Sequence, residues 1–272
     1  MMQEDSKDLG KNGEQADKNE TKALPSTIPE IVSDQTALTS IFDRARNEWL
    51  EAYNHSELLS RLKQYLSMTP EERKNARELK KYLRGVRKYG QTLKSACYFC
   101  NSVNKLPRSM DLFLRFLGKV VDAFSMQKGN KYAERVVAIM EKGELRIEEF
   151  QPVTHVDYKQ RLAGLVNKIQ THLMPKKITV EDYHTLRKDL RSIKNLCVLV
   201  SSQEGCDRRI QQISDYLDSL NSELGKIHDE YVKKELKEKV DYHGTYMKIS
   251  SKLKARMRRF LELFQVKNVM QV

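Results

Sequence analysis

Tyr183–Val200, YHTLRKDLRSIKNLCVLV, divides into two faces when wound as a helix. At about 100° per residue, Leu186, Leu190, Ile193, Cys197 and Val200 fall on one side. His184, Arg187, Lys188, Arg191, Lys194 and Asn195 fall on the other, read as a row of donors with no acid in it. No Gly or Pro interrupts Leu186 to Lys194, so local conformation offers little resistance to the helix. The aliphatic stripe needs a core. The row of cations needs solvent, facing acids or an anionic ligand.

The same period runs through most of the chain and predicts an all-α protein. Of its 272 residues, 32% are charged and 39% hydrophobic, with only 11 Gly and 6 Pro. A β-sandwich of this length would need more turn residues and more alternating β-branched residues. Helices are expected over 37–66, from Thr69 to about Val103, from Ser109 to Phe124, over 132–140, over 157–173, from Thr179 or Glu181 to Gly205, over 210–225, and from His228 to Phe264 with a bend near Gly244. Thr69-Pro70-Glu71-Glu72 is a strong start signal, joining an N-cap, a proline at the first helical position and acids at the positive end of the dipole. Residues 141–154 read as a connector, with Leu145, Ile147 and Phe150 as a brief extended piece. Residues 1–36 show almost no apolar period and read as a disordered acidic tail. Such a tail either solubilises passively or lies over a basic surface as a weak competitor.

Net charge is +12. Residues 1–36 carry four Lys against eight Asp and Glu, so the rest carries 45 basic against 29 acidic residues, a net +16. A folded region this basic points to nucleic acid, phosphates or an acidic membrane surface. No run approaches the roughly 18 apolar residues of a membrane span, and no apolar leader segment opens the chain, so a cytoplasmic protein without membrane insertion is expected. The four cysteines include Cys97-x-x-Cys100, yet no second pair supplies zinc ligands and no βαβ setting supports a redox reading. Both fall on an apolar helix face and are expected to be buried thiols. No metal or cofactor is expected.

Shifting the opening helix back by 100 residues gives a second copy. Arg187-Lys188 falls on Arg87-Lys88, Lys194 on Lys94, Ile193 on Leu93 and Cys197 on Cys97. Arg77, Lys80, Arg84, Arg87, Gln91 and Lys94 share one face of that earlier helix. Leu117-Gly118-Lys119-Val120-Val121-Asp122 then pairs with Leu224-Gly225-Lys226-Ile227-His228-Asp229 as L-G-K-x-x-D. In each half an amphipathic helix precedes the basic one. The expected architecture is a bundle of two tandem, similar helical halves, 37–150 and 155–265, with a basic groove or channel between them.

The pattern H-x-x-R-[KR]-x-x-[RK]-x-[IL]-[KR] on a helix, followed by L-G-x-x-x-D and present in two tandem halves, resembles the CHAD domain (conserved histidine α-helical domain). The second half is closest, through His184, Arg187, Lys188, Arg191 and Lys194, then Leu224-Gly225 and Asp229. The first half departs from it: Arg84 stands opposite His184, with Lys81 there in a neighbouring register, and Val120-Val121 replace an arginine. The resemblance covers about 37–265. It implies non-catalytic binding of inorganic polyphosphate in a basic channel between the halves.

Residue chemistry points the same way. A linear polyanion needs a linear set of donors, and Arg and Lys at i, i+3, i+4 and i+7 supply one along a helix face. Arginine grips phosphate oxygens with its fork, and lysine acts as a mobile point charge. The candidate binding set is Lys80, Arg84, Arg87, Lys88, Lys94, His184, Arg187, Lys188, Arg191 and Lys194. Lys252, Arg256 and Arg259 of the last helix, with Lys248, are a possible further wall. His184 heads the row, either as a phosphate contact or as a histidine bonded to a nearby carboxylate. Asp122 and Asp229 are expected to orient arginines or cap helices. No G-x-x-x-x-G-K-[ST], G-x-G-x-x-G or H-E-x-x-H occurs, so no enzyme is expected. The alternatives are an RNA- or DNA-binding helical protein, disfavoured because the tyrosines and phenylalanines fall on apolar faces, and a scaffold whose charges are merely solvated.

Overall fold

The chain was analysed as a computed structural model, which describes residues 23–143, 145, 150–238 and 246–269, with the side chains of residues 231–238 and of Val266 left aside. It is mostly helical, as expected. Ten helices occur among the described residues: α1 Gln35–Ala52, α2 His55–Ser67, α3 Pro70–Asn75, α4 Arg77–Cys100, α5 Arg108–Asp122, α6 Lys128–Met140, α7 His155–Leu173, α8 Val180–Ser201, α9 Arg208–Glu238 and α10 Ser251–Asn268. One antiparallel pair of two-residue strands, β1 (Ile178–Thr179) and β2 (Tyr246–Met247), joins the start of α8 to the approach to α10.

Side-chain caps set most of the starts. Asp34, Asn54, Thr154, Thr179 and Ser250 each accept from a backbone N–H in the first turn of α1, α2, α7, α8 and α10. Thr69 and Glu72 form a reciprocal capping box at α3. Periodicity alone missed the breaks. The expected helix over 37–66 divides at Tyr53–Asn54, because the Asn54 side chain draws off the Glu57 N–H and starts a new helix. The helix from Thr69 divides at Ala76, whose ψ of 58° leaves the helical region. Gly129 lies inside α6 rather than in a turn before it. Gly225 stops nothing, since α9 runs through it. The bend foreseen near Gly244 falls outside the described residues, as do Glu144, Ile147 and most of the extended piece around them.

All helices except α3 share one hydrophobic core, with Phe42, Trp49, Phe99, Phe113, Tyr158, Phe260 and Phe264 among its largest buried side chains. α4 packs on α1 and α5, α8 packs on α9 and α7, and α4 and α8 pack on each other. Arg161 of α7 ties α4 to α7. Its guanidinium donates to the Tyr98, Asn101 and Ser102 carbonyls at 2.9, 2.5 and 2.9 Å, satisfying the open C-terminus of α4.

The tail reading needs correction for its second part. Residues 1–22 lie outside the described residues, but residues 23–36 join the core. Ile28, Ile31 and Val32 are buried. Asn268 of α10 accepts from the Ile31 N–H at 2.8 Å and donates to the Pro29 carbonyl at 3.2 Å. The nearly buried Lys159 pairs with Glu30. Ile28, Ile31 and Val32 have a helical spacing, but Pro25 and Pro29 interrupt the stretch, and three apolar residues are enough to hold this irregular segment against the core.

Candidate anion-binding site

α4 and α8 meet where Asn195 Nδ2 donates to Ser95 Oγ at 3.0 Å. These two residues stand 100 positions apart, the shift that aligns the two basic helices. Beside that contact the polar faces of both helices border one cavity of about 920 Å³, with α5 and the middle of α7 as its other walls. α4 contributes Arg87, Gln91 and Lys94. α8 contributes His184, Arg187, Lys188 and Arg191. Six of the sequence candidates therefore share one space.

The others lie elsewhere. Lys80 sits over the Phe124 ring at 5.5 Å, Lys88 is exposed over Tyr89, and Arg84 is exposed; none of them lines the cavity. Lys194 points to Asp218 of α9 and pairs with it. The further wall from the last helix is wrong. α10 docks on α7 through an apolar side that includes Leu253, Met257, Phe260 and Phe264, and Lys252, Arg256 and Arg259 stay out of the cavity. Arg256 instead pairs with Glu223 and lies over Tyr216.

Sequence reasoning also overlooked cations that do line it: Lys105, Arg108, Arg115 and Lys119 at and on α5, and Lys168 on α7. The signal is present: Arg108, Asp111, Arg115, Lys119 and Asp122 recur at three- and four-residue steps, though a face of mixed charge is also what a solvated helix shows. The donor row of α8 is not acid-free either. Asp189 lines the cavity, mostly buried, with its carboxylate 3.1 Å from Lys168 Nζ.

The two L-G-K-x-x-D segments have a physical reading. Gly118 lies under the Arg87 guanidinium, where an added Cβ would stand 3.1 Å from it. Gly225 lies under Arg187, where a Cβ would stand 3.0 Å from Nη2. Each glycine lets an arginine lie flat across a neighbouring helix. Asp122 then accepts from Arg87 at 3.0 Å. Asp229 has its nearest ionic partner in His228, 3.5 Å away, rather than in Arg187. Lys94 pairs with Asp111 as Lys194 does with Asp218.

The cations here repel one another. Burial, then Arg187 and Arg87, hold the Arg191 guanidinium below its ordinary range. Burial, then Lys94 on α4 and Arg115 on α5, lower Lys188. His184 is pushed down to about 4, by burial first and then by Lys188, His228, Arg187 and Arg191, so at neutral pH it is uncharged. Among the described residues no carboxylate bonds it. Its ring centroid lies 5.7 Å from that of His228, and His184 Nδ1, His228 Nε2 and Arg187 Nε are buried without a hydrogen-bond partner among those residues. Tyr183 closes this end by donating to the Leu224 carbonyl at 2.9 Å.

The thiols take no part. Cys97, Cys100 and Cys197 are buried and free, and burial raises all three, Cys97 to about 12, which keeps them protonated and unreactive. No helix among the described residues is long and apolar enough to cross a membrane. No protein-family model matches the chain, and neither a curated protein nor a solved structure matches it.

Proposed function

We propose that the protein binds inorganic polyphosphate, without catalysis, in the cavity between α4 and α8. The observation that carries this is the crowding of like charges: Arg87 and Lys94 from one helix and Arg187, Lys188 and Arg191 from the other share one space, and there burial and the neighbouring cations disfavour the charged forms of Lys188 and Arg191. Such a set is costly in the free protein and is relieved by an anion. The three acids lining the cavity leave an excess of cations: Asp111 and Asp122 pair with Lys94 and Arg87, and Asp189 with Lys168.

The repetition favours a linear ligand. The matched Arg87–Gly118 and Arg187–Gly225 approaches, the matched Lys94–Asp111 and Lys194–Asp218 pairs, and the Ser95–Asn195 contact support two tandem halves meeting at α4 and α8. A chain of phosphates passing from one half to the other meets similar donors twice. The resemblance to the CHAD domain adds the same ligand class. The setting that goes with this ligand is the cytoplasm, at polyphosphate granules.

Titration of long-chain polyphosphate against the purified protein at low salt tests this. Tight binding that falls steeply with added salt is expected, by analogy with counterion release on nucleic acids. Arg187→Glu with Arg191→Glu should weaken it at least a hundredfold, since each removes a charge-assisted contact worth about tenfold or more and adds a repulsion. Unchanged elution and melting in the presence of polyphosphate would reject the reading. Preference for single-stranded RNA in direct competition would replace it.

A further inference from the structure

A second basic surface lies outside the cavity, and it differs from the first in chemistry. The turn after α7 exposes Met174, Pro175, Lys176 and Lys177, with Met174 at 75% of its full exposure. The β1–β2 pairing sets Thr179 against Tyr246 and Ile178 against Met247, so one step further along the ladder Lys177 falls opposite Lys248. Ile178 and Met247 point inward, and Tyr246 stands out at 63% exposure. α10 closes the third side. Lys254 Nζ donates to the Pro175 carbonyl, and Arg258 donates to the Leu173 carbonyl at 3.1 Å. Two of the six large exposed hydrophobic side chains among the described residues thus project from a ring of cations, and none of these cations pairs with a carboxylate among those residues. The mutual presence of Lys254 and Arg258, after burial, also lowers Lys254.

We propose that this surface docks the protein peripherally on an anionic lipid bilayer, with Met174 and Tyr246 entering the headgroup region and Lys176, Lys177, Lys248 and Arg258 meeting lipid phosphates and carboxylates. A solvated charge patch needs no protruding apolar tips. An interfacial anchor needs both, because aromatic and apolar tips take the boundary while lysines reach the anionic surface. Nucleic acid would favour several stacking rings along a groove, and here the turn and the ladder expose a single tyrosine and a methionine. No residue of this surface lines the cavity, so the inference does not rest on the polyphosphate reading.

Flotation of the full chain with vesicles of phosphatidylcholine alone, or with about a third phosphatidylserine, tests the proposal. Binding to the phosphatidylserine vesicles only is expected. Lys176→Glu with Lys177→Glu should reduce it by more than about 25-fold, at about fivefold per lysine lost. Met174→Ser with Tyr246→Ser should reduce it severalfold and make the remainder more sensitive to salt, with circular dichroism and melting unchanged. Arg187→Glu with Arg191→Glu in the cavity should leave vesicle binding intact. Absence of binding at low salt overturns the proposal, as does binding lost through the cavity variant but not the patch variants. Tighter retention of RNA than of vesicles by the same patch overturns it in favour of a nucleic-acid surface.

Discussion

Arg191 holds an unfavourable charge in the cavity, since it is partly withdrawn from water and faces Arg187 and Arg87. Arg191→Met keeps the packing of the stem and removes that charge. It should raise the melting temperature while lowering polyphosphate affinity about tenfold or more, the opposed changes that a site held under repulsion gives; thermal melts and titrations on the same samples check both. His184 gives a dependence on pH. Its folded pKa of about 4 lies below the ordinary 6.5, so between those values the unfolded chain binds more protons than the native one. Stability therefore falls as pH drops through that window. His184→Gln should flatten the decline between pH 6.5 and 4 in urea titrations. A bound polyanion would offset Lys188, Arg187 and Arg191 and raise the imidazole pKa, so binding should take up a proton and tighten from pH 7 towards 5. That proton uptake, read by calorimetry in buffers of different ionisation enthalpy, should disappear in the same variant.

Two helix-level devices connect local sequence to the site. A glycine under an arginine lowers helix propensity by up to about 1 kcal/mol relative to alanine. Its use at Gly118 and Gly225 makes sense only through what crosses it. Gly225→Ala should leave stability equal or slightly higher, yet displace Arg187 by a few tenths of an ångström and weaken polyphosphate binding severalfold. Stability and affinity moving together would show the glycine to be a backbone requirement instead. At the C-terminal end of α4, Arg161→Ala takes away the guanidinium donor from the Tyr98 and Ser102 carbonyls and leaves Asn101 with only the Asn104 N–H. A loss of about 1–3 kcal/mol in denaturant titration is expected for such groups, with the slope unchanged because the fold persists.

At the scale of the whole molecule, the basic helices are buried on one side by everything around them and left facing each other on the other. The segment before α1 adds to the shared core and is held by α7 and α10. A chain begun at residue 37 loses Ile28, Ile31 and Val32 from the core and the two backbone partners of Asn268. It should be less stable by on the order of 5 kcal/mol, from about 1.5–3 kcal/mol for each buried aliphatic side chain. Equal stability of the two forms in urea would show that the segment merely rests on the surface. The cations of α10 have a spacing like that of α4, but docking on α7 keeps them out of the cavity: Lys252 and Arg259 stay exposed, and Arg256 turns to Glu223 on α9.

The chain by itself determined the helical class, the two faces of α4 and α8, and the cap at Thr69. Each of these rests on interactions within one or two turns, which spacing encodes directly. It also supplied Arg87, Lys94, His184, Arg187, Lys188 and Arg191, but within a larger candidate set, since a helix face fixes which residues lie on one side and not how far along it a cavity reaches; Lys80, Arg84, Lys88 and Lys194 on the same helices do not line it. Tertiary packing decided which cations meet. Arg115 and Lys119 reach the cavity and Lys252 and Arg259 do not, although all four lie on polar helix faces. It also paired Asp189 with Lys168 and left His184 uncharged. Those outcomes depend on which element covers a face and how much water it removes, and charge energies in a partly buried space are set by neighbours from other helices, which no local pattern specifies.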